Sequence, residues 1–183
     1  MPVRMAPPVP EMRLKFAREI PGALTYTLSV SGNLLTVVID RMRYVLDVAK
    51  ADSVGKQNMN YIDKAYALDG DLNTTGSFVT TTSTSISLGD AGVDMGRVDG
   101  YLVYFKVGYY SPSAKNMSVK LMASPDLANW YELWSASTNS TVEQISTAHF
   151  YTTSYRAFRF VFNTSTLGSL AAMRTYELAV FRI

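Results

Sequence analysis

Apolar and polar side chains alternate along much of this chain, and the alternation predicts β-strands. In the N-terminal part the alternating runs are Leu24 to Val30, Leu35 to Ile39 and Tyr44 to Val48, joined by turns at Ser31-Gly32-Asn33 and Asp40-Arg41. A period of two places every second side chain on one face of a half-buried strand. The pattern therefore predicts a three-stranded β-meander, whose apolar face needs another surface to cover it.

The rest of the chain carries the same signal. Met117 to Leu121 and Phe158 to Phe162 alternate, whereas Tyr101 to Tyr110 is almost entirely apolar, as expected of a central strand covered on both faces. Ser and Thr dominate residues 77 to 87, which favours an exposed edge strand over a disordered tract. Helical periodicity is sustained nowhere outside residues 11 to 20. We therefore predict an all-β fold, a β-sandwich of jelly-roll type.

Proline marks the first residues as a separate segment. It recurs through the first ten positions, which favours extended backbone that cannot donate to a sheet interior. We predict an extended arm over residues 1–21 that either reaches a neighbouring subunit or is a disordered terminus, and residues 11 to 20 fit a short helix as well as a strand. Residues 22–56 are then the meander, which either extends the jelly roll or serves as an assembly element. Residues 57–183 form the jelly-roll domain.

Composition excludes several classes of function. The 183-residue chain is long enough for one well-buried core, with or without a small appended unit. Its formal net charge is only +2, so neither a nucleic-acid partner nor an anionic membrane surface is predicted. Cysteine is absent, which excludes disulfides, zinc–thiolate sites and thiol nucleophiles. No apolar run is long enough for a secretory signal or for insertion into a membrane.

Catalytic motifs are also missing. The single histidine, His149, has no Gly-x-Ser-x-Gly elbow to partner it, and a lone histidine of this kind is typical of a packed or surface position. No phosphate-binding loop or dinucleotide fingerprint occurs. A carboxylate pair for glycoside cleavage stays open, because its separation is spatial. The acidic residues nevertheless fall in turns, such as Asp90, Asp94 and Asp99. We predict a protein that is not an enzyme.

One turn concentrates oxygen donors. It follows Ala67-Leu68 and contains Asp69, Gly70, Asp71, Asn73 and Thr74. Gly adopts positive φ freely and Asp side chains cap nearby backbone N–H groups, so a solvated Asx-rich turn explains the pattern. The same carboxylates, amide and hydroxyl are also what a hard cation such as calcium takes from a loop.

The segments that follow this turn have a specific order. They are Ile86-Ser87-Leu88-Gly89, the apolar run from Val98 to Val107, the hairpin pattern Ser124-Pro125-Asp126-Leu127-Ala128-Asn129-Trp130, then Tyr155-Arg156-Ala157-Phe158-Arg159-Phe160, and finally Tyr176-Glu177-Leu178-Ala179-Val180. Together with the turn, this order resembles the discoidin, or coagulation factor type C, domains and the related galactose-binding-like carbohydrate-binding modules. The resemblance covers about residues 60–183.

The resemblance implies a structural calcium site. Carried over by position, Asp69, Asp71 and Thr74 of the turn would be joined by Glu177 on the last strand, which would tie the first and last strands together. One departure is Gly76, which stands where the family usually has an aromatic residue. The resemblance also implies that Trp130 is chiefly a core residue that pins its hairpin.

Candidate ligand-binding residues lie in a turn-rich loop. Tyr109 and Tyr110 precede Ser111 to Asn116, so these rings, with Lys115 and Asn116, could meet a sugar. The alternative is that both tyrosines simply end the central strand. Arg156 and Arg159 are expected on opposite faces of one strand, so at most one faces inward, where it must be paired.

Two hypotheses for function follow. In the favoured one, the chain is a virion structural protein of a phage or archaeal virus: a capsid decoration, spike or fibre subunit. It would form homo-oligomers or bind other subunits through its N-terminal arm, sit on a virion or an extracellular surface, and touch glycans with its head. In the alternative, it is a free-standing secreted carbohydrate-binding module.

Overall fold

The computed structural model describes residues 26–39, 42–56, 67–74, 79–81, 92–164, 169 and 171–182. Its strands are β1 (Tyr26–Ser31), β2 (Leu34–Ile39), β3 (Met42–Asp47), β4 (Val79–Thr81), β5 (Gly92–Asp94), β6 (Tyr101–Tyr110), β7 (Met117–Ser124), β8 (Tyr131–Thr138), β9 (Gln144–Thr152), β10 (Ala157–Thr164) and β11 (Ala171–Arg182), with a 3-10 turn at Val48–Lys50. The predictions for residues 1–21, for residues 57–66 and for Ile86 to Gly89 lie outside the described residues.

Two four-stranded antiparallel sheets form a β-sandwich, which confirms the predicted fold class. The front sheet has the order β5-β10-β7-β8, and the back sheet has the order β4-β11-β6-β9. Their inward-facing side chains share one core, in which the ring of Phe105 in the back sheet lies 5.3 Å from that of Phe160 in the front sheet. Each large apolar side chain buried in this way contributes about 1.5–3 kcal/mol of hydrophobic free energy.

The meander β1-β2-β3 forms a third layer on the outer face of the back sheet. Its apolar side, including Leu35 and Val37, shares a second hydrophobic cluster with Leu102 and Tyr104 of β6 and with Phe181 of β11. Strand β6 is therefore covered on both faces, as its apolar run predicted. The meander's own apolar face is covered by the same contact.

The segment after the meander continues along β11. The Ser53 hydroxyl donates to the carbonyl oxygen of Leu178 at 3.0 Å, and the Val180 N–H donates to the Ser53 hydroxyl at 2.9 Å. The Arg182 N–H donates to the Asp52 carboxylate at 2.6 Å. The described part of β4 pairs with residues 171–173, and the contacts of Asp52 and Ser53 lie further along β11.

A bulge in β11 changes which side chains face the core. The register shifts between Thr175 and Glu177 opposite β6. Before the bulge the odd-numbered Met173 enters the core, whereas after it the even-numbered Leu178 and Val180 do. The extra residue thus turns Glu177 to the outer face of the back sheet, towards the Asp69–Thr74 turn.

Strand β4 lies at the edge of the back sheet, which confirms the edge-strand prediction for Val79–Thr81, the described part of the Ser/Thr-rich tract. Across the residues that the structure describes, no helix has the length and hydropathy needed to cross a bilayer.

Candidate functional site

The Asp69–Thr74 turn is held by its own side chains. Asp69 Oδ1 accepts the N–H of Asp71 at 2.9 Å, and Asp71 Oδ1 accepts the N–H of Asn73 at 2.9 Å. Gly70 has φ of +80°, and a Cβ there would lie 2.7 Å from the Cα of Ala49. Only glycine satisfies both the positive φ and this close approach of two backbone segments.

Glu177 meets this turn from the last strand. Its side chain is fully buried, and Oε2 accepts the N–H of Gly70 at 2.9 Å. Its other oxygen, Oε1, is also buried, and no N–H or O–H group of the described residues donates to it in good geometry. Burial away from water, opposed by the Gly70 hydrogen bond and reinforced by nearby Asp69, raises the pKa of Glu177 to about 9. A carboxyl with this pKa is protonated at neutral pH, and its hydrogen bond with the neighbouring Asp69 carboxylate contributes to the rise.

The oxygen atoms around this carboxyl fit a hard cation. The Thr74 hydroxyl donates to Asp69 Oδ2 at 2.6 Å and lies 3.0 Å from the carbonyl oxygen of Asp71. Carboxylate, hydroxyl and carbonyl oxygens are the ligands that calcium takes. The structure therefore brings together Asp69, Thr74 and Glu177, whereas the Asp71 carboxylate turns to Asn73 and leaves its backbone oxygen for the site. Within the described ranges no group of three or more His, Cys, Asp or Glu side chains forms a metal cluster.

The predicted sugar-binding loop lies at one end of the sandwich, and one of its residues is buried. Tyr109 faces the core, and its hydroxyl group is hydrogen-bonded to Ser146 Oγ at 3.0 Å. Its ring is therefore unavailable to a ligand, which corrects that part of the prediction. Tyr110 points the other way and is partly exposed, and Lys115 and Asn116 are exposed. For these three residues, ligand binding stays a prediction.

Three loops meet at the opposite end, which we call the loop end: residues 95–100, 125–130 and 153–156. The N–H of Met95 donates to the carbonyl oxygen of Arg156 at 2.8 Å, and the N–H of Arg156 donates to that of Ser124 at 2.9 Å. The guanidinium of Arg156 donates two hydrogen bonds to Asp94, at 2.8 and 2.6 Å. These links join all three loops through Arg156, so the loop end is pre-organised.

The β7–β8 loop within the loop end has a fixed shape. Asp126 accepts the N–H groups of Ala128 and Asn129 at 2.9 and 2.8 Å, and these hydrogen bonds, with that of the Asn129 side chain, lower the pKa of Asp126 to about 2. Leu127 has φ of +70° and is 43% exposed. A left-handed conformation costs a residue with a Cβ about 1–2 kcal/mol, so the surrounding hydrogen bonds hold the loop in a strained form.

Tyr131 and Tyr155 form an aromatic pair beside these loops, in which Tyr131 is exposed and Tyr155 is partly buried against the core of the sandwich. The ring centroids of Tyr131 and Tyr155 are 5.7 Å apart with an interplanar angle of 38°, and Tyr131 is 51% exposed. Tyr131 begins β8, and Tyr155 lies in the β9–β10 loop. Such a pair presents flat apolar faces next to water, with hydroxyl groups at its rim.

Comparisons with known proteins show distant likenesses only. No family model and no curated protein matches the chain. Among solved structures, a CBM4 structure has 11% identity and a TM-score of 0.36, covering 61% of this chain and 76% of its own. A structure of carbohydrate-binding modules from the β-sandwich superfamily has 10% identity and a TM-score of 0.32, covering 85% and 75%. The structure of Eiger TNF from S. frugiperda has 11% identity and a TM-score of 0.32, and the match covers 54% of this chain and 84% of the TNF chain.

At TM-scores this low the likenesses transfer neither a ligand nor a partner to this chain. Membership of the discoidin family accordingly stays a prediction. The function has to follow from the residues of the chain itself.

Trp130 corrects an expectation from the resemblance. Its ring is partly exposed and lies outside both hydrophobic clusters, 3.8 Å from Cζ of Arg159. Its Nε1–H donates to the carbonyl oxygen of Leu127 at 3.2 Å, so the side chain does pin its hairpin. Neither Arg156 nor Arg159 faces the core, because Arg156 precedes β10 and Arg159 lies on the outer face of the front sheet.

Sequence patterns did not single out the Tyr131–Tyr155 pair. The two residues are far apart along the chain, and each looks like an ordinary aromatic residue bordering a strand. One available signal was that each adjoins a turn-rich segment, Ser124 to Asn129 for Tyr131 and Thr153-Ser154 for Tyr155. Their approach follows from the pairing of β10 with β7 and of β7 with β8.

Proposed function

We propose that this protein is a non-catalytic carbohydrate-binding module whose loop end holds a sugar against Tyr131 and Tyr155. The observation that carries the proposal is this aromatic pair, in which the ring centroids are 5.7 Å apart and Tyr131 is 51% exposed. The apolar face of a sugar ring packs well on tyrosine, whose hydroxyl group then bonds to the sugar's own hydroxyls. Thr153 and Ser154 are exposed next to Tyr155 and add polar groups.

The rigidity of the loop end supports the same proposal. A binding surface that is already ordered loses little conformational entropy when the ligand arrives. Here the backbone bonds of Arg156, its paired guanidinium and the Asp126 cap hold the three loops before any ligand is present. Ordering of these loops therefore subtracts little from the free energy of binding at the aromatic pair.

A structural calcium ion at the Asp69–Thr74 turn is a second part of the proposal. Asp69, Thr74 and the Asp71 carbonyl would hold it together with Glu177, whose buried carboxyl lies beside Asp69. When bound, the ion would supply positive charge to a buried carboxyl and would link the turn to β11. It would not take part in sugar binding, because the loop end is formed by other loops.

The virion hypothesis has no support among the described residues. Its main element is the N-terminal arm, residues 1–21, which lies outside the described residues. It stays a prediction, checked by whether an oligomer seen in size-exclusion chromatography with light scattering dissociates when residues 1–20 are deleted.

Glycan-array screening followed by titration calorimetry tests the sugar-binding proposal. The variants are Tyr131→Ala and Tyr155→Ala, with Tyr110→Ala at the opposite end as the matched control. We expect at least one glycan class to bind, the first two variants to weaken binding about tenfold or more, and the control to bind like the natural chain. Loss of binding in the control alone would move the site to the Tyr110 loop. Absence of binding to any glycan would contradict the proposal.

A further inference from the structure

Arg159 is a charged side chain for which the described residues supply no counter-ion. It lies on the outer face of the front sheet and is partly buried, and its Nε is buried with no hydrogen-bond partner. Among the described residues, Arg159 makes a cation–π contact with the ring of Trp130, whose centroid lies 3.8 Å from Cζ. Burial lowers the pKa of Arg159, with no neighbouring carboxylate to oppose it. The guanidinium stays charged, because the ordinary pKa of arginine is so high.

The neighbouring charges on this face are already paired. Lys120 Nζ lies 2.6 Å from Glu132 Oε2, and Arg156 is bound to Asp94 by two hydrogen bonds. Within each of these two pairs, the positive charge is neutralised by the carboxylate. On this face, the acidic side chains of the described residues leave the positive charge of Arg159 unbalanced.

Strand register explains why no acidic side chain of the described part of the chain pairs with this guanidinium. Gly92 of β5 and Met122 of β7 stand directly beside Arg159, and Glu132 of β8 stands beside Met122. The side chains of Gly92 and Met122 contain no oxygen atom that could accept a hydrogen bond from Arg159. Adjacent strands are about 4.8 Å apart, so the Glu132 backbone lies two strand spacings away, and its carboxylate is held by Lys120.

An N–H group left without an acceptor in a partly dry site is costly, and the cost is greater for a charged group. Trp130 covers one face of the guanidinium but accepts no hydrogen bond in the plane of its N–H groups. That plane is where arginine binds a carboxylate with two parallel hydrogen bonds. Arg159 lies on β10 and its guanidinium packs against the Trp130 ring, so the guanidinium is already positioned before a ligand binds.

We infer that Arg159 and Trp130 form a subsite for the carboxylate of an acidic sugar, so that this protein binds acidic glycans in preference to neutral ones. The inference rests on the proposed glycan binding and names the charge of the ligand. Trp130 adjoins Tyr131 in sequence, which places the subsite next to the aromatic pair of the loop end. A sugar chain on that pair would extend over the edge of the front sheet to reach Arg159.

Titration calorimetry with two oligosaccharides of equal length tests the inference. One is an oligogalacturonate and the other is its neutral galactose counterpart. Arg159→Gln removes the charge, Arg159→Lys keeps the charge but removes the planar fork, and Lys120→Gln is the matched control that removes a cation from the same face. Thermal unfolding of each variant reports whether the Trp130 contact is needed for the fold.

We expect the natural chain to bind the acidic oligomer on the order of tenfold more tightly than the neutral one. Arg159→Gln should abolish this preference while leaving the affinity for the neutral oligomer unchanged, and Lys120→Gln should keep it. If Arg159→Gln does not fold, Arg159→Lys decides: a reduced preference in a folded variant supports the subsite, and an unchanged one overturns it.

The remaining outcomes separate this inference from the proposed function. Equal affinity for the two oligomers overturns the acidic subsite alone, and so does a preference that survives in Arg159→Gln. If neither oligomer binds, the acidic subsite is overturned, whereas the proposed function fails only if no glycan on the array binds. A glutamate-rich peptide is the last arm: binding that depends on Arg159, in the absence of any binding to the acidic oligomer, would overturn the sugar as the source of the carboxylate.

Discussion

The backbone N–H of Gly70 donates a 2.9 Å hydrogen bond to the carboxyl group of Glu177, which lies 107 residues later in the chain. The bond joins the Asp69–Thr74 turn to the middle of β11. It forms only because Gly70 has no side chain between the turn and the backbone of Ala49. The same contact brings the oxygen atoms of Asp69 close to the carboxyl of Glu177.

Gly70→Ala should destabilise the protein strongly. The added Cβ would lie 2.7 Å from the Cα of Ala49 and would also strain a backbone with φ of +80°. We expect a loss of about 2 kcal/mol or more in the free energy of unfolding, measured by chemical denaturation. The control is Gly96→Ala, where φ is +87° but no atom lies within 4 Å of the added Cβ. Equal losses in the two variants would show that the close approach to Ala49 is unimportant.

Calcium should stabilise the fold through the Asp69–Thr74 turn. A ligand that binds only the folded state raises the melting temperature, and the rise continues with the logarithm of the ligand concentration above Kd. Chelation with EDTA should reverse the effect. Asp69→Asn should remove it, because one ligand charge is lost, whereas Asp126→Asn, the same change in a turn away from the site, should not. A melting temperature that calcium leaves unchanged in the natural chain would remove the metal from the proposal.

Acid should weaken the loop end through Asp126. Hydrogen bonds to Asn129 and Ala128 lower the pKa of this carboxylate from 3.8 to about 2 in the folded state. A depressed pKa means that the stabilisation is complete above pH 3.8 and is lost as the pH falls towards 2. In Asp126→Asn this part of the dependence should disappear. Urea unfolding of both proteins between pH 5 and pH 2 measures it, and parallel curves would refute the assignment.

Leu35→Ala should destabilise the protein, and the meander and the sandwich should still unfold in one transition. Leu35 is fully buried in the cluster that the meander shares with β6 and β11. We expect a loss of about 2–5 kcal/mol in a single cooperative transition. Its neighbour Leu34 is 45% exposed, so Leu34→Ala should cost well under 1 kcal/mol. Two separate transitions in Leu35→Ala would instead indicate that the meander is an independent unit.

Much of the fold could be predicted from local patterns. The alternation in Leu35 to Ile39 and in Phe158 to Phe162 matched observed strands, and the apolar run at Tyr101–Tyr110 is a strand covered on both faces. The bulge in β11 had no such signal. It reverses the inward parity between Met173 and Leu178, and only the pairing with β6 reveals it.

The candidate sites divide in the same way. The composition of the turn indicated oxygen ligands, and the side chains of Asp69 and Thr74 do meet there. Tyr109 was misplaced because the parity of β6, set by its neighbours, turns the ring into the core. The Tyr131–Tyr155 pair could not be predicted, since each ring comes from a different loop.

What the sequence determined by itself was the class of the elements, the positions of the turns and the absence of thiol chemistry, because these depend on neighbouring residues and on composition. The tertiary structure decided which face each strand buries, where the meander docks, and which aromatic and charged side chains meet. Those outcomes depend on contacts between residues far apart in the chain, such as Gly70 with Glu177 and Trp130 with Arg159, and periodicity carries no information about them.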